Sequence, residues 1–272
     1  MHLKRILSAL VAIPCLYILI LKGGAFWFTV LICIAGLIAL SEYYRITFNT
    51  QKHSVSGPIP VIGYISSLAI ILFSYFKPGQ FEIIAGVIAL NFLLAGIIAL
   101  FQFKNEPKII EVVTKQVTGI VYVAVLISTL VLLRGNTESG ISWIFFTLAM
   151  VALCDTGAYY AGTYLGKHKL CPSVSPGKTI EGFIGGMVFV LVAGLLAKHW
   201  FLPSFEWGYT VLFLFLISVV GPCGDLFESV LKRTGGIKDS GSIIPGHGGV
   251  LDRIDALLFV APVAYFFQTY IF

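Results

Sequence analysis

The sequence predicts an all-α, polytopic integral membrane protein, and three observations carry that expectation. Apolar residues make up 58% of the chain, charged residues only 11%, and mean hydropathy is +0.94, far from the range of water-soluble domains. Apolar windows long enough to cross a bilayer, which needs about 20 residues per helix, recur from one end to the other. Lys and Arg gather between alternate windows, as they do where short loops stay in the cytoplasm.

Nine spans are expected, over residues 6–22, 25–44, 59–76, 82–102, 116–133, 141–166, 181–198, 209–231 and 252–272. The first follows Lys4 and Arg5 and could be mistaken for a signal peptide. It lacks a small-x-small cleavage pattern, and the next span begins almost at once. Through residue 135 the spans read as Leu, Ile, Val, Phe and Ala, with charge confined to the loops, so residues 1–135 are expected to be a transmembrane scaffold. Trp27, Tyr43, Tyr44, Tyr64 and Tyr75 lie near predicted span ends, where aromatic rings favour the headgroup zone. Residues 136–272 are expected to be the catalytic region, because there ionisable residues enter the helices themselves.

With the N-terminus in the cytoplasm, all 18 Lys and Arg residues except Lys22, Lys77, Arg134 and Lys198 fall on the cytoplasmic side. The net charge of +5 then reflects topology and gives no reason to expect a nucleic acid partner. The five cysteines form no C-x-x-C pair, and most sit in apolar runs where a thiol behaves as a small hydrophobe. His168 and Cys171 have a spacing that zinc tolerates, but no second pair follows at a usual distance.

A charge inside a span costs about 2.5–3.5 kcal/mol, so each should face a polar cavity or a partner. Three stretches carry such charges: Asp155 in CDTGAYYAG, Lys178 and Glu181 in SPGKTIEG, and the run from Asp225 to Asp255. In GDLFESVLKR, Asp225, Glu228 and Lys232 fall at i, i+3 and i+7, one face of a helix, with Arg233 beside them. Exposed charge at a helix end would explain Lys232 and Arg233, but not Asp225.

The connecting segment TGGIKDSGSIIPGHGG sets Lys238, Asp239 and His247 among glycines that include Gly248 and Gly249. Such backbone can nest phosphate oxygens, or serve as a mobile connector. Asp252 and Asp255 then open the last span at i and i+3. Asp252 alone could be a helix cap, but that leaves Asp255 unexplained. Since Mg²⁺ takes one or two carboxylates plus substrate phosphates, Asp225, Asp252 and Asp255 are the expected metal ligands. Carboxylates beside Lys and Arg at a membrane surface suit phosphoryl or nucleotidyl transfer. A P-loop is excluded, because Pro172 stands where the first glycine of G-x-x-x-x-G-K-T belongs.

The run SVLKRTGGIKDSGSIIPGHGGVLDRID, residues 229–255, resembles the signature of the phosphatidate cytidylyltransferases: S-x-apolar-K-R, then K-D, then H-G-G-x-x-D-R-x-D. The likeness extends over CDTGAYYAG and SPGKTIEG, about residues 150–272, while the first half agrees only in general character. It implies a CTP-dependent membrane enzyme that converts phosphatidic acid to CDP-diacylglycerol and pyrophosphate with Mg²⁺, with or without a second cation. By position, Asp225, Lys232, Asp252 and Asp255 would be catalytic, with the three aspartates on metal. Lys178, Arg233, Lys238, Asp239, His247, Gly248, Gly249 and Arg253 would bind phosphates or orient CTP, and Asp155, Lys178 and Glu181 would line one cytoplasmic cavity.

Two other readings stand beside this one. A related enzyme could use CTP on another lipid, either as a kinase or as a CDP-lipid synthase. An ion-coupled transporter would place intramembrane acids in both halves of an inverted repeat, and none is expected in the first half. Gly157 with Ala161, and Gly182 with Gly186, allow close helix contact within the chain or across a homodimer. The compact length favours a bacterial cytoplasmic (inner) membrane, with the active site facing the cytoplasm.

Overall fold

The computed structural model describes residues 10, 14–49, 57–135, 137–243 and 248–272. The chain is helical nearly throughout. Its elements are α1 (described over 14–22), α2 (Gly24–Asn49), α3 (Pro58–Phe76), α4 (Phe81–Gln102), α5 (Ile109–Gly119), a π-helical stretch (Ile120–Val125), α6 (Leu126–Arg134) and α7 (Glu138–Leu165). A short hairpin of β1 (Lys169–Cys171) and β2 (Ser175–Thr179) follows, then α8 (Ile180–Phe201), α9 (Trp207–Thr234) and α10 (Leu251–Tyr270).

Among the described residues, seven helical segments are long and apolar enough to span a bilayer: Gly24–Phe48, Pro58–Phe76, Phe81–Gln102, Ile109–Arg134, Ser139–Leu165, Ile180–Phe201 and Trp207–Thr234. The ninth expected span is α10, a helix of 20 residues outside those seven. Part of the first expected span lies outside the described residues. The hairpin was not expected. It forms where Pro172 and Pro176 deny the chain a helix, and β1 and β2 pair antiparallel, Lys169 with Thr179 and Cys171 with Ser175.

The helices form two compact units, residues 1–135 with 231–253 and residues 136–230 with 254–272. In the first unit α2, α3 and the crossing from α5 through α6 surround a core that includes Leu40, Phe48, Ile70, Ile71 and Ile120. Tyr43 and Tyr44, expected at the membrane boundary, belong to this core instead. Helix α2 runs past the predicted span end at 44, so both rings turn inward. Tyr43 packs on Tyr122 at 6.0 Å, and Tyr44 on Phe48 at 5.1 Å and Tyr64 at 5.3 Å. Trp27 is exposed as expected. Arg134 closes this unit's long crossing, its guanidinium donating to the carbonyls of Gly135 and Ile20.

In the second unit Trp143 of α7 meets Phe205, Phe213 and Phe272 edge-on at 5.3–5.7 Å, an aromatic core at one end. Toward the other end, α7 and α8 approach through small residues. A Cβ on Gly186 would lie 2.8 Å from the Cys154 carbonyl, and one on Gly182 would lie 2.8 Å from that of Ala158. The glycines noted in the sequence are thus used within the chain, and they supply no argument for a second copy.

Candidate functional site

In the second unit, three elements bring ionisable groups to one cavity of about 660 Å³. Helix α7 contributes Asp155, strand β2 Lys178 and helix α9 Asp225, among walls that include Tyr159, Leu170 and Phe183. Lys178 Nζ lies 2.7 Å from Asp225 Oδ2, with the side chains 26% and 36% exposed, so the pair is desolvated in part yet open to the cavity. Polar groups converging on a largely apolar hollow of this size are the usual form of a small-molecule site.

Lys178 is held there by the hairpin. Thr179 ends β2 and caps α8, its hydroxyl accepting the Gly182 amide at 3.1 Å. Glu181 does not line the cavity. It reaches back across the hairpin to accept the amides of Lys167 at 3.0 Å and His168 at 3.2 Å, and meets His168 Nδ1 at 2.6 Å. The first turn of α8 is therefore tied both to the end of β2 and to the chain just before β1. His168 is engaged by a carboxylate, in keeping with the reading that sets zinc aside.

In the first unit the last turn of α9, the glycine-rich segment and the first turn of α10 form a second polar cluster. Lys232 Nζ stands 2.7 Å from Asp252 Oδ1, with the side chains only 15% and 7% exposed. Oxygen Oδ2 of Asp252 accepts from the Ser240 amide at 3.0 Å, the Ser240 hydroxyl at 2.9 Å and the Gly249 amide at 2.8 Å. Gly248 has φ of +87°, and a Cβ there would lie 2.7 Å from Asp252 Oδ2, so both conformation and space require glycine. Arg233, Lys238, Asp239 and Arg253 are exposed around the cluster, and His247 lies outside the described residues.

One member of this cluster escaped the sequence reading. Glu42, on α2, is 1% exposed and accepts from Val250 N at 3.1 Å and Leu251 N at 2.7 Å, and it shares with Asp252 the single proton of the Ser240 hydroxyl, whose Oγ stands 3.2 Å from Oε2. Arg45, one turn on, donates to the Ser240 carbonyl at 2.6 Å. The expectation that charge in the first half is confined to loops is therefore corrected: Glu42 lies within the predicted span 25–44, two residues from its end, and is a buried acid of α2.

Of the three aspartates expected on a metal, Asp225 and Asp255 belong to the second unit and Asp252 to the first. Among the described residues, no group of three or more His, Cys, Asp and Glu side chains is placed to hold one ion. Glu228, expected on the face of Asp225, is fully buried in α9. Asp255 Oδ1 accepts the Ala256 amide at 2.8 Å.

Comparison with known proteins gives a consistent result. The cytidylyltransferase family pattern matches residues 3–271. A phosphatidate cytidylyltransferase of Bacillus subtilis (strain 168) is 36% identical over 270 residues, covering 97% of this chain and 96% of the relative. Proteins of the same name from Staphylococcus haemolyticus (strain JCSC1435) and Staphylococcus aureus (strain COL) are 34% and 36% identical over 269 and 267 residues, each alignment covering 95% of this chain and 96% of the relative.

Proposed function

The chain belongs to the cytidylyltransferase family, and on that premise we propose that it transfers the cytidylyl group of CTP to phosphatidate, yielding CDP-diacylglycerol and pyrophosphate. The observation that carries this reading is the Lys178–Asp225 pair on the wall of a cavity that also holds Asp155. A cation and two carboxylates in a half-apolar hollow suit a ligand that is phosphate at one end and lipid or base at the other.

In the proposed reaction a phosphatidate oxygen attacks the α-phosphorus of CTP in line. A new P–O bond forms as the bond to the bridging oxygen breaks, and pyrophosphate leaves with that electron pair. A phosphate monoester has its second pKa near about 6, so the attacking oxygen is ionised at neutral pH and no strong base is required. Lys178 holds Asp225 in place before substrate arrives and stands within the same cavity to meet phosphate oxygens. Lys232, Arg233, Lys238, His247 and Arg253 match polar positions of the family signature, and the resemblance implies that they would bind phosphates or orient CTP.

Mg²⁺ is the proposed cofactor. Asp155 and Asp225 are hard oxygen donors lining the same cavity, and Mg²⁺ takes one or two carboxylates with substrate phosphates filling the remaining positions, so the donor set fits without a third acid. By the resemblance to the family signature, Asp252 and Asp255 would bind metal as well. When bound, the ion neutralises charge on the phosphate oxygens. The distribution of Lys and Arg supports a catalytic face toward the cytoplasm, in the cytoplasmic membrane.

The test is product analysis. Purified protein given CTP labelled at the α-phosphate, phosphatidate and Mg²⁺ should place label in the lipid and release pyrophosphate. Release of CDP with unlabelled lipid would replace this reading with a lipid kinase.

A further inference from the structure

Glu42 lies far in sequence from every signature residue, on a helix otherwise built as scaffold, yet its carboxylate is spent entirely on the segment that carries them. It accepts the two amides that open α10, Val250 and Leu251, and so fills the positive end of that helix with a protein anion. The fit is close: a Cβ on Gly249 would lie 2.6 Å from both carboxylate oxygens of Glu42.

Ser240 joins this carboxylate to the second one. Its hydroxyl stands 3.2 Å from Glu42 Oε2 and 2.9 Å from Asp252 Oδ2, and its carbonyl is held by Arg45. Asp252 in turn takes the Lys232 ammonium on its other oxygen. A chain of contacts thus runs from α2 through Ser240 to Asp252 and Lys232, each link buried or nearly so.

We propose that Glu42 is a positioning residue for the reaction: acting through the Ser240 hydroxyl, it fixes the orientation of the Asp252 carboxylate and, through it, of Lys232. This rests on the functional reading above. Glu42 touches no substrate in the proposal. Its effect comes from orientation, where a displacement of about 1 Å can cost about a hundredfold in rate.

The test uses full-length protein in detergent, with Glu42→Gln, Ser240→Ala and the double variant. Turnover is measured per folded, monodisperse molecule well below the melting midpoint, alongside hydrogen exchange of individual amides. Each single variant should lower kcat by about tenfold or more with KM for CTP little changed. The double variant should match the worse single instead of reaching their product, since both act on Asp252 through one hydroxyl. Exchange should quicken at the Ser240 and Gly249 amides, which donate to Asp252 and not to Glu42.

A residue that merely stabilises α10 would shift the melting midpoint and leave kcat per folded molecule unchanged. That result, or losses that multiply, or unaltered exchange at Ser240 and Gly249, would overturn the proposal. If Glu42→Gln does not fold, Ser240→Ala decides, because it keeps the Glu42 bonds to Val250 and Leu251. Wild-type kcat in that variant overturns the idea. Wild-type protein that releases no pyrophosphate would instead overturn the functional reading, while the exchange measurement still reports whether Glu42 sets Asp252.

Discussion

Lys232 and Asp252 form an ion pair of 2.7 Å with 15% and 7% of their side chains exposed, so neither charge can lose the other without being left in a poorly solvated place. Lys232→Met should therefore destabilise the protein by about 3–5 kcal/mol, the usual consequence of stranding one buried partner. Adding Asp252→Asn to it should recover much of that loss without restoring turnover. Thermal melting in detergent and pyrophosphate release, measured side by side, separate the two effects.

The Lys178–Asp225 pair should behave in the opposite way. It is more exposed, and pairs of that kind contribute about 0–1 kcal/mol, so Asp225→Asn should melt close to wild type. Turnover should nevertheless fall by about a hundredfold or more, as when one group that stabilises transition-state charge is removed. Chelation with EDTA should stop wild-type turnover, and excess Mg²⁺ should restore it. An Asp225→Asn variant with near-normal kcat at saturating Mg²⁺ would remove this residue from the metal.

Gly248→Ala adds a methyl group at φ +87°, directly against Asp252 Oδ2. A non-glycine residue held in a sparsely populated region costs about 1–3 kcal/mol, so the segment should shift before the global fold does. The expected signature is a lower kcat with faster amide exchange at Ser240 and Gly249. Unchanged exchange would mean that the segment accommodates the methyl elsewhere.

Gly186→Val should drive α7 and α8 apart, because its Cβ meets the Cys154 carbonyl at 2.8 Å and no flexible side chain can yield there. Overpacking of this kind costs about 1–3 kcal/mol, read as a lower melting midpoint. Gly177→Ala, where a Cβ meets nothing within 4 Å, should leave the midpoint unchanged.

The helices were legible because their signal is spread over some twenty residues each, and no single side chain can hide it. Asp225 was legible for a related reason: charge inside a span demands a partner, and that partner proved to be Lys178 of the hairpin. Glu42 was not. Its carboxylate is met by groups of Ser240, Val250 and Leu251, about 200 residues later in the chain, which is not a local property. With Glu42 buried, the absence of intramembrane acid in the first half no longer counts against a transporter. Its two hydrogen bonds to the α10 entrance, and the family match, do so instead. Tyr43 and Tyr44 were misplaced because α2 extends five residues beyond the predicted span end at Tyr44. The hairpin was illegible because strands of three and five residues carry no usable periodicity.

The π-helical stretch from Ile120 to Val125 takes up one residue more than an α-helix would, which rotates everything after it by about 100° relative to everything before. Before it, burial follows one stripe through Ile109, Val112, Val113 and Gln116; after it, every residue from Ile127 to Arg134 is enclosed. A single crossing can thereby satisfy two different sets of neighbours. Excising one residue from that stretch would restore regular winding and swing one half of the rod out of phase with its surroundings, a small edit with consequences along the whole span.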